Sequence, residues 1–381
     1  MDPLLSAEQA VLGAILLDPG QLAHLRWLAP EHFERPVHQA LFASLRILRD
    51  NAHPALTEDS VPLSWITDAV AEASHHVRGL TEVYAHSLVQ SCPRPEHAPV
   101  YGRMVLEGAI HRTIAQHAIR LHQVARADAV RGDVEGALHQ ADVLAGVLRD
   151  LSERWGTEAR PEHLDSSPRP AAPAPAEGVL DDERFLLAVL IEQPNAMDAV
   201  VGWVRPSDFA ATAHGQLYRC LGALHHRGEP IDRLTVLWEA QRRGLLADGT
   251  FTRDQITSLA DGIAAGDADW LGHRVIRSSI TRTAATSARA VRAAAEDEAL
   301  SPGRLINHAL HALGPLDDVR ARWHASNRSA IPPPAMEAQE PPAEQVHAAL
   351  ARSSPREAWP SAPNRARLAT TPPTTHVGHS R

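Results

Sequence analysis

A long internal repeat constrains this chain more than any other feature of its sequence. The pattern of residues 7–42 returns in residues 182–218, so that Phe33 corresponds to Phe209. The repeats of a solenoid recur after only about 20–50 residues. The spacing therefore predicts two copies of a whole domain.

The low aromatic content limits what can fill the core of each copy. Hydrophobic residues make up 44% of the chain, but aromatic residues only 4%, so the cores must be built from Ala, Leu, Val and Ile. Such a mixture favours helices over strands. Besides the helices that follow Ser6 and Pro36, the apolar spacing predicts helices near residues 62–73, 79–90, 99–129, 133–150, 181–192, 213–227, 232–243, 253–263, 269–297 and 302–313.

Both copies end in the same way, with a long helix, a short gap and a second helix. This order predicts a helical hairpin. We therefore expect an all-α protein with two tandem helical-bundle domains, 1–155 and 179–324, each closed by a hairpin. Proline and alanine dominate residues 156–178, which read as an extended linker. Residues 325–381 are rich in Pro, Ala and Ser and read as a disordered tail.

The charges of the chain exclude several kinds of function. It carries 37 basic and 46 acidic side chains, a net charge of −9, whereas sequence-independent binding of nucleic acids needs many cations. All the basic residues are arginine, since the sequence contains no lysine. Codon use in a GC-rich genome explains this bias. It nevertheless excludes a phosphate-loop lysine, a Schiff-base lysine and a lysine general base.

No pattern indicates a metal, a cofactor or an active site. Cys92 and Cys220 lie at non-equivalent positions of the two copies and form neither a disulfide framework nor a Cys-x-x-Cys site. The histidines do not have the spacing of zinc ligands. No signal peptide or membrane-spanning run is present, so we expect a soluble, cytoplasmic protein without a cofactor.

Several polar residues have an expected local role. Ser6 is predicted to cap the first helix. Glu8 and its counterpart Glu183 are predicted to interact with the helix dipole in the first turn of their helices. His38 and its counterpart His214 are expected to be structural, hydrogen-bonded side chains.

The tryptophans do not form a platform for stacking single-stranded bases. Trp65, Trp238 and Trp270 instead occupy positions that are typical of a core or of the base of a hairpin.

The two copies resemble a known family. The first opens with AEQAVLGAILLDP at residues 7–19, and the second contains EPID at 229–232 and LTVL at 234–237. These segments resemble the N-terminal domain of DnaB-type replicative helicases. The resemblance implies a small helical bundle with a protruding hairpin, which assembles into a collar, contacts primase and loading factors, and hydrolyses nothing itself.

The sequence departs from that family in one respect. Family members continue into a RecA-like ATPase with a phosphate loop, but this sequence has no G-x-x-x-x-G-K-[ST] motif and no lysine to complete one. We therefore expect a protein that is not an enzyme.

One helix carries a candidate partner surface. On the helix predicted at residues 269–297, five arginines fall within a stripe of roughly 140°, and Ile, Val and Ala occupy the opposite side. The stripe would suit nucleic-acid phosphates or an acidic protein; a solvated or internally paired helix face is the alternative. The five residues are Arg274, Arg277, Arg282, Arg289 and Arg292.

Three functions fit these observations. The first is a non-catalytic interaction module of DNA replication, which docks on helicase- or primase-type proteins or on itself through the hairpins. The second is a DNA-binding accessory factor that uses the arginine stripe. The third is a helicase component whose ATPase lies on another chain.

Overall fold

Short polar side chains set the starts of several helices. In a computed structural model, Asp2, Thr81, Asp232 and Asp267 each accept a hydrogen bond from a backbone N–H group in the first turn of the helix that follows. These bonds satisfy donors that have no partner inside the helix. The prediction that Ser6 caps the first helix is wrong, because that helix begins earlier and Asp2 caps it.

The structure describes residues 2–56, 63–162, 174–260 and 266–329, and all regular structure in them is helical. This confirms the predicted all-α class. The helices of the first copy are α1 (Pro3–Leu17), α2 (Pro36–Asp50), α3 (Leu63–Ser74), α4 (Glu82–Ser91), α5 (Ala98–Arg131) and α6 (Glu135–Trp155). Those of the second copy are α7 (Glu177–Glu192), α8 (Met197–Val200), α9 (Thr212–His226), α10 (Arg233–Arg242), α11 (Arg253–Ala260), α12 (Ala268–Ala295) and α13 (Pro302–Ser329).

Helices α1 to α4 surround the core at one end of the first copy. Trp65 is fully buried there, as predicted, and its indole N–H donates to the carbonyl of Ile15. Helices α1 and α4 approach each other closely, since a Cβ atom on Gly13 would lie 2.1 Å from the carbonyl oxygen of Leu88. In the second copy, a separate core is built around Phe209 and helices α7 to α11.

The two long helices α5 and α12 pack against each other in opposite directions. His111 of α5 contacts the carbonyl oxygen of Ala295, at the end of α12. Arg277, near the start of α12, donates to the carbonyl oxygen of Gly132, at the end of α5. Because α5 and α12 are equivalent parts of the repeat, their antiparallel packing relates the two copies by an approximate two-fold axis.

A single core joins the two hairpins. Ile276, Ile280, Ala284, Val291 and Ala294 of α12 are buried in the same apolar cluster as α5 and α6. Helix α13 packs on it as well, so both hairpins together form a four-helix arrangement within one compact unit up to Ser329. The division into domains 1–155 and 179–324 stays a prediction.

The closing helix of the second copy is longer than predicted. The apolar spacing predicts a helix near 302–313, and proline inside a helix removes a hydrogen bond and strains the backbone. Helix α13 instead continues through Pro315 to Ser329. Leu316 and Val319 are buried in the shared core, and this burial offsets the cost of the proline.

The predicted linker and tail are described only in part. In the predicted linker 156–178, the backbone N–H groups of Arg160 and Glu162 donate to Asn307 of α13. Residues 325–329 of the predicted tail belong to α13. The last residues of the predicted linker, 177–178, belong to α7. Residues 163–173 of the predicted linker and 330–381 of the predicted tail lie outside the described residues.

We expect Ile280→Ala to destabilise the whole helical unit, because the side chain is fully buried between the hairpins. The loss in the free energy of unfolding should be about 2–5 kcal/mol, measured by urea denaturation. Val130→Ala is the control, since Val130 is exposed at the end of α5, and its effect should stay within about 0.5 kcal/mol. Equal effects of the two substitutions would contradict the shared core.

Candidate functional site

A buried glutamate and histidine meet in the first copy. The Nδ1 atom of His38 lies 2.6 Å from Oε2 of Glu8, and Nε2 lies 2.8 Å from the hydroxyl of Tyr84. The other carboxylate oxygen of Glu8 accepts the backbone N–H of Glu34, just before α2. An imidazole protonated at Nδ1 can donate to the carboxylate and accept from the tyrosine.

The second copy repeats this arrangement. Nδ1 of His214 lies 2.7 Å from Oε2 of Glu183. The carboxylate also accepts the backbone N–H groups of Ala210 and Ala211, the latter at 3.2 Å. Helix α9 begins directly afterwards, and its own N-cap residue, Ala211, has no side chain that could cap it.

We call these pairs, Glu8–His38 and Glu183–His214, the anchors. Their glutamates lie beyond the first turn of α1 and α7, so the predicted interaction with their own helix dipole is wrong. They instead bind the backbone that leads into α2 and α9. The expected hydrogen-bonded role of the histidines agrees with these contacts. The pairing of each glutamate with its histidine was not predicted from the sequence, although all four residues recur at matching positions of the repeat.

A second repeated contact involves arginine. Arg112 of α5 donates to the carbonyl oxygen of His32 at 2.6 Å, and its counterpart Arg282 of α12 donates to that of Asp208 at 2.7 Å. Burial lowers the pKa of Arg282. Each long helix is thereby fixed to the turn that precedes the anchored helix of its own copy.

The residue at this turn differs between the copies. Asp208 is buried and forms an ion pair with Arg322 of α13, with Nη2 2.9 Å from Oδ1. Ser279 also donates to Asp208, at 3.0 Å. In the first copy the position is held by His32, and burial lowers the pKa of its imidazole, with Arg154 and Arg112 acting in the same direction. One copy therefore buries a charged pair where the other buries an imidazole.

Each hairpin base also has contacts that involve tryptophan rings. In the first copy the guanidinium of Arg103 lies 4.5 Å from the ring centroid of Trp155, a cation–π distance. In the second copy His273 occupies the equivalent position, with ring centroids 4.7 Å from Trp203 and 5.5 Å from Trp323.

The five predicted arginines do not form one free surface. Arg274 pairs with Asp182 at 2.8 Å and lies over Trp270, while Arg292 pairs with Glu296 at 2.7 Å. Arg277 donates to Gly132, Arg282 to Asp208 and Arg289 to Thr286. Of the five, only Arg274 and Arg292 are exposed, and their separation of 18 positions corresponds to roughly 27 Å of helix. Their role as a partner surface stays a prediction.

Two of the tryptophans differ from expectation. Trp238 is 60% exposed and Trp270 is 52% exposed, so neither is a core residue, although Trp270 does lie at the base of the second hairpin. A run of apolar positions in the sequence does not distinguish a buried tryptophan from one on the outer side of a helix.

The part of the chain that the structure describes offers no reactive or metal-binding cluster. Among its His, Cys, Asp and Glu residues, no group of three could hold a metal ion. Burial raises the pKa of the Cys220 thiol to about 11 and also raises that of Cys92, which keeps both thiols protonated and poorly nucleophilic. None of the described helices is both long and apolar enough to span a bilayer.

A family model decides the relationship of the chain. The model for the DnaB-like helicase N terminal domain matches residues 2–107 and 177–265, together just over half of the sequence. The chain belongs to this family. The two matched segments contain both anchors, and the family appears once in each copy. As a member of the DnaB N-terminal family, the protein is related to replicative helicases.

Full-length helicases match only over part of their length. The chain is 31% identical to the replicative DNA helicase DnaB of Geobacillus stearothermophilus over 31% of this chain and 25% of the helicase. It is 29% identical to DnaC of Bacillus subtilis, over 41% of this chain and 32% of that helicase. It is 31% identical to DnaB of Mycobacterium leprae, over 36% of this chain and 22% of that helicase. The chain thus spans a third or less of these relatives. No solved structure matches it significantly.

We expect Glu183→Ala to destabilise the second copy, because two backbone N–H groups and His214 lose their buried acceptor. Each unpaired donor should cost about 1–3 kcal/mol in the free energy of unfolding. Glu192→Ala, at an exposed position of the same helix, is the control for urea denaturation. An unchanged midpoint for Glu183→Ala would show that the anchor does not hold α9.

A second prediction concerns pH. Since the folded protein lowers the pKa of His32 below its ordinary value of 6.5, the unfolded chain binds the proton more readily. The contribution of the neutral His32 to stability is therefore fully present above about pH 6.5 and is lost as the pH falls through and below that value. In the wild type, Nδ1 of His32 accepts the backbone N–H of Ala29 at 3.0 Å. The variant His32→Asn keeps a side-chain acceptor for this N–H group, but the amide does not titrate.

Urea midpoints at pH 8 and pH 5 test this prediction. The wild type should lose more stability between the two pH values than His32→Asn does. The comparison isolates His32, because burial also lowers the pKa of His117 and His122, and both of these remain in the variant. Equal losses would exclude His32 as a source of acid sensitivity.

Proposed function

We propose that this protein is a non-catalytic interaction module of DNA replication, which docks on helicase- or primase-type proteins. The observation that carries the proposal is the packing of α5 against α12 within one chain. Two domains of the helicase N-terminal family are thereby joined into a preassembled pair. Their outer surfaces remain for contacts with other proteins.

The hairpins have a reduced role in self-association under this proposal. The apolar stripe of α12, on the side opposite the five arginines, is buried within this chain. A second copy would have to bind through other surfaces. The proposal therefore favours a partner protein over self-association.

Two further observations support a role without catalysis. The family match covers the N-terminal domain of helicases and no other domain type. The buried carboxylates of the described residues also bind backbone groups, histidine or arginine, as Glu183 and Asp208 do, so they hold the fold.

The arginine stripe supports the DNA-binding alternative less well. Phosphate contacts need cations that are free to approach the backbone. Arg282 is committed to the turn at Asp208, and the two exposed members of the stripe are paired with carboxylates.

Capture by the immobilised full chain tests the proposal. Purified replicative helicase and primase from the same organism should be offered separately at about 0.15 M salt, and we expect at least one to be retained. A matched column carrying an unrelated helical protein is the control. Retention of neither, together with binding of single-stranded DNA that weakens steeply with salt, would replace the proposal with the DNA-binding alternative.

A further inference from the structure

A shallow groove is present on the second copy. It lies between α9 and the segment that follows α8, and its volume is about 370 Å³, within the range of roughly 300–1,000 Å³ that is usual for ligand sites. Its apolar part is formed by Val201, Val204 and Ala223. Val201 is 40% exposed, so an apolar surface is left open to solvent.

Arginines surround this apolar surface. Arg205, Arg219 and Arg243 line the groove, and none of the described residues that line it is acidic. Arg205 is paired with Asp318 at 2.8 Å and Arg243 with Glu239 at 2.7 Å. Arg219 is exposed and makes no ion pair with the residues that the structure describes. The rim therefore carries one cation, Arg219, without an ion-pair partner among the described residues, on a protein whose net charge is −9.

The internal repeat shows why the groove exists in the second copy. Since Phe42 corresponds to Tyr218, Arg46 and Ile47 of α2 correspond to Gly222 and Ala223 of α9. The second copy thus has the smallest side chains where the first has two large ones. A Cβ atom on Gly222 would meet no other atom within 4 Å, which identifies open space above the helix.

We propose that this groove binds a short segment of a partner protein in which carboxylates alternate with leucine-like side chains. The charge of the rim complements the carboxylates, with Arg219 as the cation that is free to pair. The apolar floor takes the aliphatic side chains. A nucleic-acid strand fits less well, because a phosphate backbone needs several free cations and gains nothing from valine and alanine.

The inference rests on the proposed function only in that the occupant is a protein segment. Its test is separate, since it uses synthetic peptides and the full chain. Four fluorescein-labelled peptides of 12 residues would be compared by fluorescence anisotropy. They combine Glu or Gln at the polar positions with Leu or Ser at the others.

We expect saturable binding, with a Kd below about 1 mM, for the Glu–Leu peptide alone. Gly222→Leu fills the groove and should weaken this binding by about tenfold or more, and leucine favours the helix, so folding is preserved. Arg219→Glu should weaken it to a similar extent. Arg26→Glu, an exposed position of the first copy, makes the same charge change elsewhere and should leave the affinity unchanged.

Several outcomes would overturn the inference. Equal binding of the Glu–Ser and Glu–Leu peptides would show attraction by charge alone. Unchanged affinity of Gly222→Leu would place the peptide elsewhere, and the absence of binding by all four peptides would remove the site. Competition by an oligothymidylate of 12 nucleotides would assign the groove to nucleic acid. Failure here combined with helicase or primase capture would mean that the capture uses another surface.

Discussion

The antiparallel contact between α5 and α12 is the constraint on which the rest of this structure depends. Both helices contribute buried Ile, Val and Ala side chains, and α5 also Leu, to one shared apolar cluster, and their many close contacts stabilise the packing. The contact joins equivalent helices, so each copy offers the corresponding surface to the other across one approximate two-fold axis. A hairpin that would protrude from a single domain is buried here without help from another chain.

The polar contacts fix how each globular end is attached to this central bundle. Arg112 and Arg282 bind the turns that precede α2 and α9, and the anchors hold those same turns from α1 and α7. Removing such groups from water is unfavourable unless each finds a partner. Because all of these hydrogen bonds form together in only one arrangement, they select one position for each helix, whereas packing of Leu and Ala alone would allow several. The duplication of these contacts shows that they belong to the domain itself.

The sequence predicted the helices well because the repeat supplied each pattern twice, and the longest periodic segments, α5 and α12, agree to within a few residues. Local signals failed where distant residues decide. Asp2 caps α1 instead of Ser6, and Glu8 binds the backbone N–H of Glu34, 26 residues further along the chain and just before α2. The continuation of α13 was detectable, because LDDVRARW at 316–323 repeats LRDLSERW at 148–155. The pairing of Arg274 with Asp182 required a tertiary contact that no helix periodicity contains, whereas Arg292 pairs with Glu296 only four residues further along the chain.

Joining two copies in one polypeptide has a geometric consequence. A pair assembled from identical subunits would present each surface patch twice, on opposite sides of its axis. In this chain the positions of Gly222 and Ala223 are occupied by Arg46 and Ile47 in the other copy. The side chains that leave the groove open in the second copy are therefore not repeated in the first, so a partner can distinguish the two copies. A ligand of the proposed groove would bind with a stoichiometry of one.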